Sequence, residues 1–388
     1  MMDLTRDEER LLSEGTPAER MSMKILVTLG DVYGADRLIP ITGAHISGAS
    51  PKTLGDAGVG FLEEFATTAR VRVRTTVNPT GMDPDRWREL GVPESVLRTQ
   101  ERIVASYARM GVEPTFSCTP YQIGHRPKRG EHVAWAESSA VVFANAVLGA
   151  RTNREGGPSA LAAAVVGRTP NFGLHLDEHR RATHMFDVRV PMSGYRLSLL
   201  GLHIGEIVGD GVPYLRGFTA TEDELKVFGA ALASAGAVGM FHVEGLTPEW
   251  READTETLNP LIIDEADLLT ARDRHSTEGV PDVIGLGSPQ LSADELRAVA
   301  DLLERYRPRP RVFAFTSRSA RTDATDAARR IEALGHVVLV DTCLEVSPME
   351  LWARTTATPS GKGAIYLPTL CGQRVVLDDL EELLRRFA

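Results

Sequence analysis

From Glu222 onward the chain repeats one pattern, and that pattern narrows the folds open to it. Amphipathic helix-length segments at 222–235, 293–305 and 320–334 alternate with apolar runs of strand length at 238–243, 283–286, 312–315 and 337–340. Strands separated by helices run parallel, and strands that are apolar on both faces need helices on both sides. The expectation is an α/β fold with parallel sheets flanked by helices. Ligands of such sheets bind beyond the carboxyl ends of the strands. That rule singles out Glu244–Thr247, Gly287–Gln290, Thr316-Ser317 and Asp341-Thr342-Cys343, and puts Cys343 where a functional thiolate belongs. Ser360-Gly361-Lys362 and a last helix over 377–387 complete this half.

The first half is less regular. Helices are expected over 4–15 and 17–34, the second with Thr16 as N-cap, and near 94–110 and 134–148, with strands near 38–41 and 71–77. At 388 residues the chain is long enough for a large core in two parts. The division is expected as 1–220, carrying substrate motifs, and 221–388, carrying Cys343 and Lys362.

The segment 134–164 is chemically dense. A small-residue helical pattern carries Glu137, Ser138, Asn145, Arg151, Asn153, Arg154 and Glu155, then breaks at Gly156-Gly157-Pro158 before a second helical run. Each buried polar group needs a partner or costs free energy, so an ordinary core segment does not carry so many. Arg151 and Arg154 just ahead of a helix start form a candidate cradle for a carboxylate or phosphate. Two packed helices joined by a salt-bridged turn give the same pattern.

Charge excludes one class of partner. With 43 basic and 53 acidic residues the net charge is −10, against nucleic acid as the main partner. No apolar stretch has the length of a membrane span, and the acidic start (Asp3, Asp7, Glu8, Glu9) does not read as a signal peptide, so a cytoplasmic location is expected. Three cysteines, Cys118, Cys343 and Cys371, lie far apart and make no disulfide framework.

Further motifs sit where strands run out. Gly48-Ala49-Ser50 offers amides and a hydroxyl to an oxyanion, or simply a capped turn. Asn78-Pro79 follows a strand, with an amide that both donates and accepts. Ser117-Cys118-Thr119-Pro120 has the same form, with a thiol at the turn. Neither 43–50 nor Ser360-Gly361-Lys362 has the spacing of a phosphate-binding P-loop. His175, Asp177, Glu178, His179 and His184 fix no third metal ligand and read as a solvated cluster.

Together these pieces resemble aconitase X, in particular the large subunit of its two-subunit form. The matching stretches are AHISG (44–48), GDAG (55–58), NPTGMD (78–83), SCTPYQIG (117–124), GEHVAWAESSAV (130–141), NAVLGARTNREGGPSALAAA (145–164), GLHL (173–176), VEGLTPE (243–249), DTCLEVSP (341–348) and SGK (360–362). The resemblance implies a hydro-lyase with an aconitase-like core of several α/β units. It also implies that the swivelling domain, absent from this chain, is a separate small subunit supplying a catalytic serine. Two substrates are implied, 5-phosphomevalonate first and cis-3-hydroxy-L-proline second.

Carried over by position, Glu137, Ser138 and Lys362 are the implied catalytic residues, and Gly48, Ala49, Ser50, Asn78 and Pro79 contact substrate, with Arg151 and Arg154 available for its anionic groups. Cys118 and Cys343 match iron–sulfur ligands. The third cysteine of the phosphomevalonate branch, in a Gly-Cys-Pro-His motif, is replaced by Gly287-Ser288-Pro289-Gln290. Three readings follow: Cys371 serves as third ligand, the cluster is smaller or differently ligated (4Fe-4S or 2Fe-2S), or it has been lost. The last would make the chain a non-catalytic binding or regulatory homologue.

Overall fold

A computed structural model describes residues 2–388. Its sheets are three parallel ones and an antiparallel pair, Leu38–Pro40 with Arg168–Pro170. The first parallel sheet has Gly43–Ile46 in the centre, between Arg74–Val77 and Val133–Trp135. The second runs in the order His242–Val243, Pro213–Arg216, His184–Val188, Pro260–Ile263. The third has five strands in the order Val337–Val340, Arg311–Thr316, Val283–Leu291, Thr355–Thr358, Arg374–Leu377. The division expected after residue 220 falls inside the second sheet, whose Tyr214 pairs with His242.

Several helices keep the bounds their patterns announce. Glu94–Met110 and Glu222–Ala235 are found as expected, and Pro17–Tyr33 starts behind a Thr16 cap whose hydroxyl accepts from the Glu19 amide. The pattern at 134–148 divides. Val133–Trp135 pairs with the central strand of the first sheet, Glu137 stays extended at φ −80°, ψ 120°, and the helix runs Ser138–Ala146. The expected helix over 377–387 is Leu380–Arg386, preceded by strand Arg374–Leu377. The expected strand over 238–243 shrinks to His242–Val243.

Close packing of the helices holds the second and third sheets together. Gly361–Cys371, which links two strands of the third sheet, packs on Tyr195–Val208 and Glu222–Ala235 of the second, and those two helices lie directly against each other. A Cβ on Gly201 would come within 2.6 Å of the Phe228 carbonyl oxygen, so only glycine lets the two backbones meet. The first and third sheets are joined near their carboxyl edges. The Thr80 amide and hydroxyl both donate to the Asp341 carbonyl, at 2.7 and 2.8 Å, and Asp83 accepts from the Val340 amide at 3.0 Å. The loops that follow Val77 and Val340 are thereby fixed to one another.

Candidate active site

Parallel strands release their loops on one edge, and the first sheet releases three there. Ser47–Ser50 follow Ile46, Asn78-Pro79 follow Val77, and Ala136–Ser138 follow Trp135. The register is held past the strand ends, with the Asn78 amide donating to the Ile46 carbonyl and the Ala136 amide to that of His45, both at 2.9 Å. Opposite stand the loop after Val340, carrying Cys343 and Glu345, and the start of helix Gly361–Cys371, carrying Lys362. Between them lies a cleft of about 590 Å³.

A buried ion pair crosses the cleft. Lys362 Nζ donates to Glu137 Oε1 at 2.5 Å, Asn78 Nδ2 donates to Glu137 Oε2 at 2.6 Å, and the Ser139 hydroxyl donates to Oε1 at 3.0 Å. Burial raises the Glu137 pKa, but Lys362 and Asn78 outweigh it and hold the carboxyl down at about 2. Burial works against the Lys362 charge, and Glu137 and Glu345 overcome it, so the ammonium stays protonated well above its usual range.

Sulfur gathers on the side of the third sheet. Cys343 lines the cleft and donates from Sγ to Glu345 Oε2 at 3.1 Å, while the Ser288 hydroxyl donates to Glu345 Oε1. Cys118 is buried behind them, its sulfur accepting from the Gln290 amide at 3.3 Å. Burial pushes the Cys118 thiol up to about 12, and burial with the Glu345 charge pushes Cys343 well above the ordinary thiol range. Glu345 is itself raised, chiefly by burial.

Eight of the residues singled out from the sequence line this cleft: Gly48, Ala49, Asn78, Pro79, Glu137, Ser138, Cys343 and Lys362. Ser50 is buried and caps helix Pro51–Phe65, its hydroxyl accepting from the Lys52 amide at 3.2 Å. Cys371 does not reach the lining; its sulfur sits 3.4 Å from Lys52 Nζ and 3.5 Å from the Glu345 carbonyl oxygen. The two arginines lie outside the cleft. Arg151 pairs with Asp177 and donates to the His175 carbonyl at 3.0 Å. Arg154 donates to the carbonyls of Ala233, Gly236 and Val238 and borders a separate pocket. Arg151 Nη1 and Nη2 and Arg154 Nη1 thus tie this segment to its neighbours. Of the histidine cluster, His175 contacts His132 and Asp177 contacts Arg151.

Two residues of the site went unmarked in the sequence reading. His45 and Glu345 both lie within stretches quoted above, one on the central strand and one two positions past Cys343. A histidine between Ala44 and Ile46 on a fully buried strand was the available signal, since such a group needs polar partners.

Comparison with known proteins agrees along the whole chain. Models of the Aconitase X first, second and third domains match residues 1–178, 182–273 and 281–387. The chain is 48% identical over 394 residues to the phosphomevalonate dehydratase large subunit of Methanothermobacter thermautotrophicus, covering 98% of each. It is 35% identical to the cis-3-hydroxy-L-proline dehydratase of Pseudomonas aeruginosa, covering 95% of this chain and 67% of that one. Among solved structures, the crystal structure of Thermococcus kodakaraensis aconitase X (holo-form) superposes with a TM-score of 0.93 at 42% identity, covering 100% of both chains.

Proposed function

The chain belongs to the aconitase X family of hydro-lyases, and from that premise we propose that it is the large, catalytic subunit of a two-subunit dehydratase acting on a small hydroxy carboxylate. 5-Phosphomevalonate is the first candidate substrate, because relatives named as its dehydratase large subunit reach 48% identity over nearly the full chain. The observation that carries the reading is the Lys362–Glu137–Asn78 network facing Cys343 across one cleft.

The directions of the network's pKa shifts support a charge-holding role. A carboxyl near 2 is a weak base and an ammonium raised above its usual range is a weak acid, so at neutral pH the pair orients and neutralises rather than shuttling protons. Lys362 sits at the start of a helix, where the dipole adds to its attraction for a substrate carboxylate. Residues at the starts of Pro51–Phe65, Ser138–Ala146 and Gly157–Val166 also line the cleft, and helix starts meet anionic groups with backbone amides. Dehydration also needs a base for the carbon-bound proton and help for the departing hydroxyl. The base fits a serine of the small subunit, whose existence the relatives' "large subunit" names support. Phe61 and Leu370, each 41% exposed on the cleft wall, give that partner an apolar surface to cover.

An iron–sulfur cluster with an open iron position supplies a Lewis acid for a hydroxyl leaving group. The donor set here fits such a group. Cys118 and Cys343 would provide thiolates, with the Ser288 hydroxyl or the Glu345 carboxylate as an oxygen ligand. Among the described residues, no three His, Cys, Asp or Glu side chains are grouped to hold a metal ion, so the fit rests on the chemistry of these donors. Cys371 is turned toward Lys52, which weighs against it as third ligand.

One observation favours cis-3-hydroxy-L-proline as a second reading. Lys362 is the only basic side chain among the described residues lining the cleft, and it is already paired. A phosphate beside a carboxylate therefore leans on helix amides or on the partner. The test is turnover of each compound by the chain co-expressed with its small subunit, followed as loss of one water. Turnover of 5-phosphomevalonate alone supports the first reading, turnover of hydroxyproline alone installs the second, and turnover of neither by iron-replete protein contradicts both.

A further inference from the structure

Behind Glu137 a line of hydrogen bonds runs inward to the base of the first sheet. Asn78 Oδ1 lies 2.7 Å from His45 Nε2, His45 Nδ1 lies 2.8 Å from Thr76 Oγ1, and Thr76 Oγ1 lies 2.8 Å from His125 Nδ1. His45 and Thr76 are fully buried and His125 is 5% exposed. The line is built in rather than incidental. A Cβ on Gly43 would stand 2.4 Å from His125 Nε2, so the glycine makes room for that ring, and Trp135 meets both imidazoles edge-on, at centroid distances of 5.9 and 5.3 Å.

Elementary donor and acceptor rules orient every link. An ionised Glu137 only accepts, so Asn78 presents its NH2 group to it and turns its carbonyl oxygen to His45. His45 therefore carries its proton on Nε2, and its bare Nδ1 accepts from the Thr76 hydroxyl. The Thr76 oxygen, having donated its one proton, accepts from His125, which carries its proton on Nδ1. Both rings are neutral in this scheme, in keeping with burial, which holds His45 near 4 and His125 near 3. An amide does not pass protons along, so the line ends at Asn78 as a brace and not as a proton wire.

We propose that His45, backed by Thr76 and His125, is a positioning residue for the reaction: it locks the Asn78 amide in the orientation that holds the Glu137 carboxylate and, through it, Lys362. The inference rests on the reading of Glu137 and Lys362 as substrate-contacting groups. A variant that loses the Nε2 donor leaves the Asn78 oxygen without its buried partner, so the amide is free to shift away from the Glu137 carboxylate. Lys362 then loses its fixed position while the bulk of the cleft is untouched.

The test uses the co-expressed two-subunit protein and has two readouts. In 15N-histidine-labelled protein at neutral pH, with signals assigned through H45Q and H125Q, His45 is expected as the Nε2–H tautomer and His125 as the Nδ1–H tautomer. In turnover, H45L is expected to lower kcat on the order of tenfold to a hundredfold, the scale of a misplaced catalytic group, with a smaller change in KM. H45Q, whose amide NH2 can replace the Nε2 donor, is expected to recover most of that loss. An Nδ1–H or doubly protonated His45, an unchanged kcat in H45L, or an equal loss in H45Q and H45L would each overturn the proposal. If H45L does not fold, the wild-type tautomers and the H45Q rate still decide. If neither candidate substrate turns over, the functional reading fails while the tautomers separately judge the brace.

Discussion

Glu137 and Glu345 are both buried carboxylates that feel the charge of Lys362, and their surroundings drive them in opposite directions. Glu137 takes the ammonium directly, with Asn78 and Ser139 completing its hydrogen bonds, and its pKa falls to about 2. Glu345 meets a hydroxyl and a thiol, feels Lys362 only at longer range, and its pKa rises. One end of the cleft is balanced by the chain's own charges. The other concentrates two high-pKa thiols and a carboxyl met only by a hydroxyl and a thiol, a set that a cationic centre would draw into its ionised form. Two buried carboxylates on one cleft thus differ according to whether an ammonium or neutral groups complete their hydrogen bonds.

The balanced end breaks hardest. Lys362→Met strands the Glu137 charge, and removing one partner of a buried pair costs about 3–5 kcal/mol. It should also cut kcat/KM by on the order of a thousandfold or more, as loss of preorganised charge does. Denaturant unfolding and steady-state kinetics check both; a variant with native stability and rate would show the pair to be ornamental.

Acid sharpens the contrast next. His45 and His125 have folded pKa values near 4 and 3, below the ordinary 6.5. The unfolded chain therefore takes up their protons first as pH falls. Their contribution is complete above pH 6.5 and is lost as pH drops toward 4, by roughly 3 kcal/mol for His45 alone. Urea unfolding at pH 7 and pH 4.5 should show H45Q losing less stability than wild type; equal losses would put the sensitivity elsewhere.

At the sulfur end the expected effect is on content more than on fold. Cys118→Ala and Cys343→Ala should strip most of the bound iron and acid-labile sulfide, while stability of the metal-free chain shifts by only about 1–2 kcal/mol. Ser288→Cys should raise iron retention, since a thiolate is the better iron ligand. Retained iron in both alanine variants would remove the thiols from the account. The smallest effect is expected from Arg151→Ala and Arg154→Ala, which sit outside the cleft: KM should move by less than about threefold, within the range of a partly exposed interaction. A larger rise would return them to the substrate.

The parallel-sheet class and many helix bounds were legible because burial on both faces and capping leave local signatures. Glu94–Met110 and Glu222–Ala235 show this. Strand Thr355–Thr358 was not legible, because four buried residues reading Thr-Thr-Ala-Thr lack an apolar pattern; one hydroxyl is satisfied by a distant partner, Thr356 by Gln373 at 2.8 Å. Motif ends of strands pointed to Asn78 and Cys343, since chain topology brings such ends together, whereas Glu137 stood out in a polar run read as helix and in fact follows strand Val133–Trp135. Arg151 and Arg154 stand outside the cleft, because a guanidinium ahead of a helix serves equally well to bind carbonyls of its own fold. His45 escaped notice because its partners lie 31 and 33 residues away.

The central claim is that the Glu137–Lys362 end and the sulfur end serve one substrate in one cleft. Its most direct test is the EPR spectrum of the anaerobically purified, dithionite-reduced two-subunit protein before and after saturation with whichever candidate substrate it turns over. The account expects an iron–sulfur signal that changes when substrate binds, and no such change in Lys362→Met. An iron–sulfur signal indifferent to a substrate that is being dehydrated would contradict it.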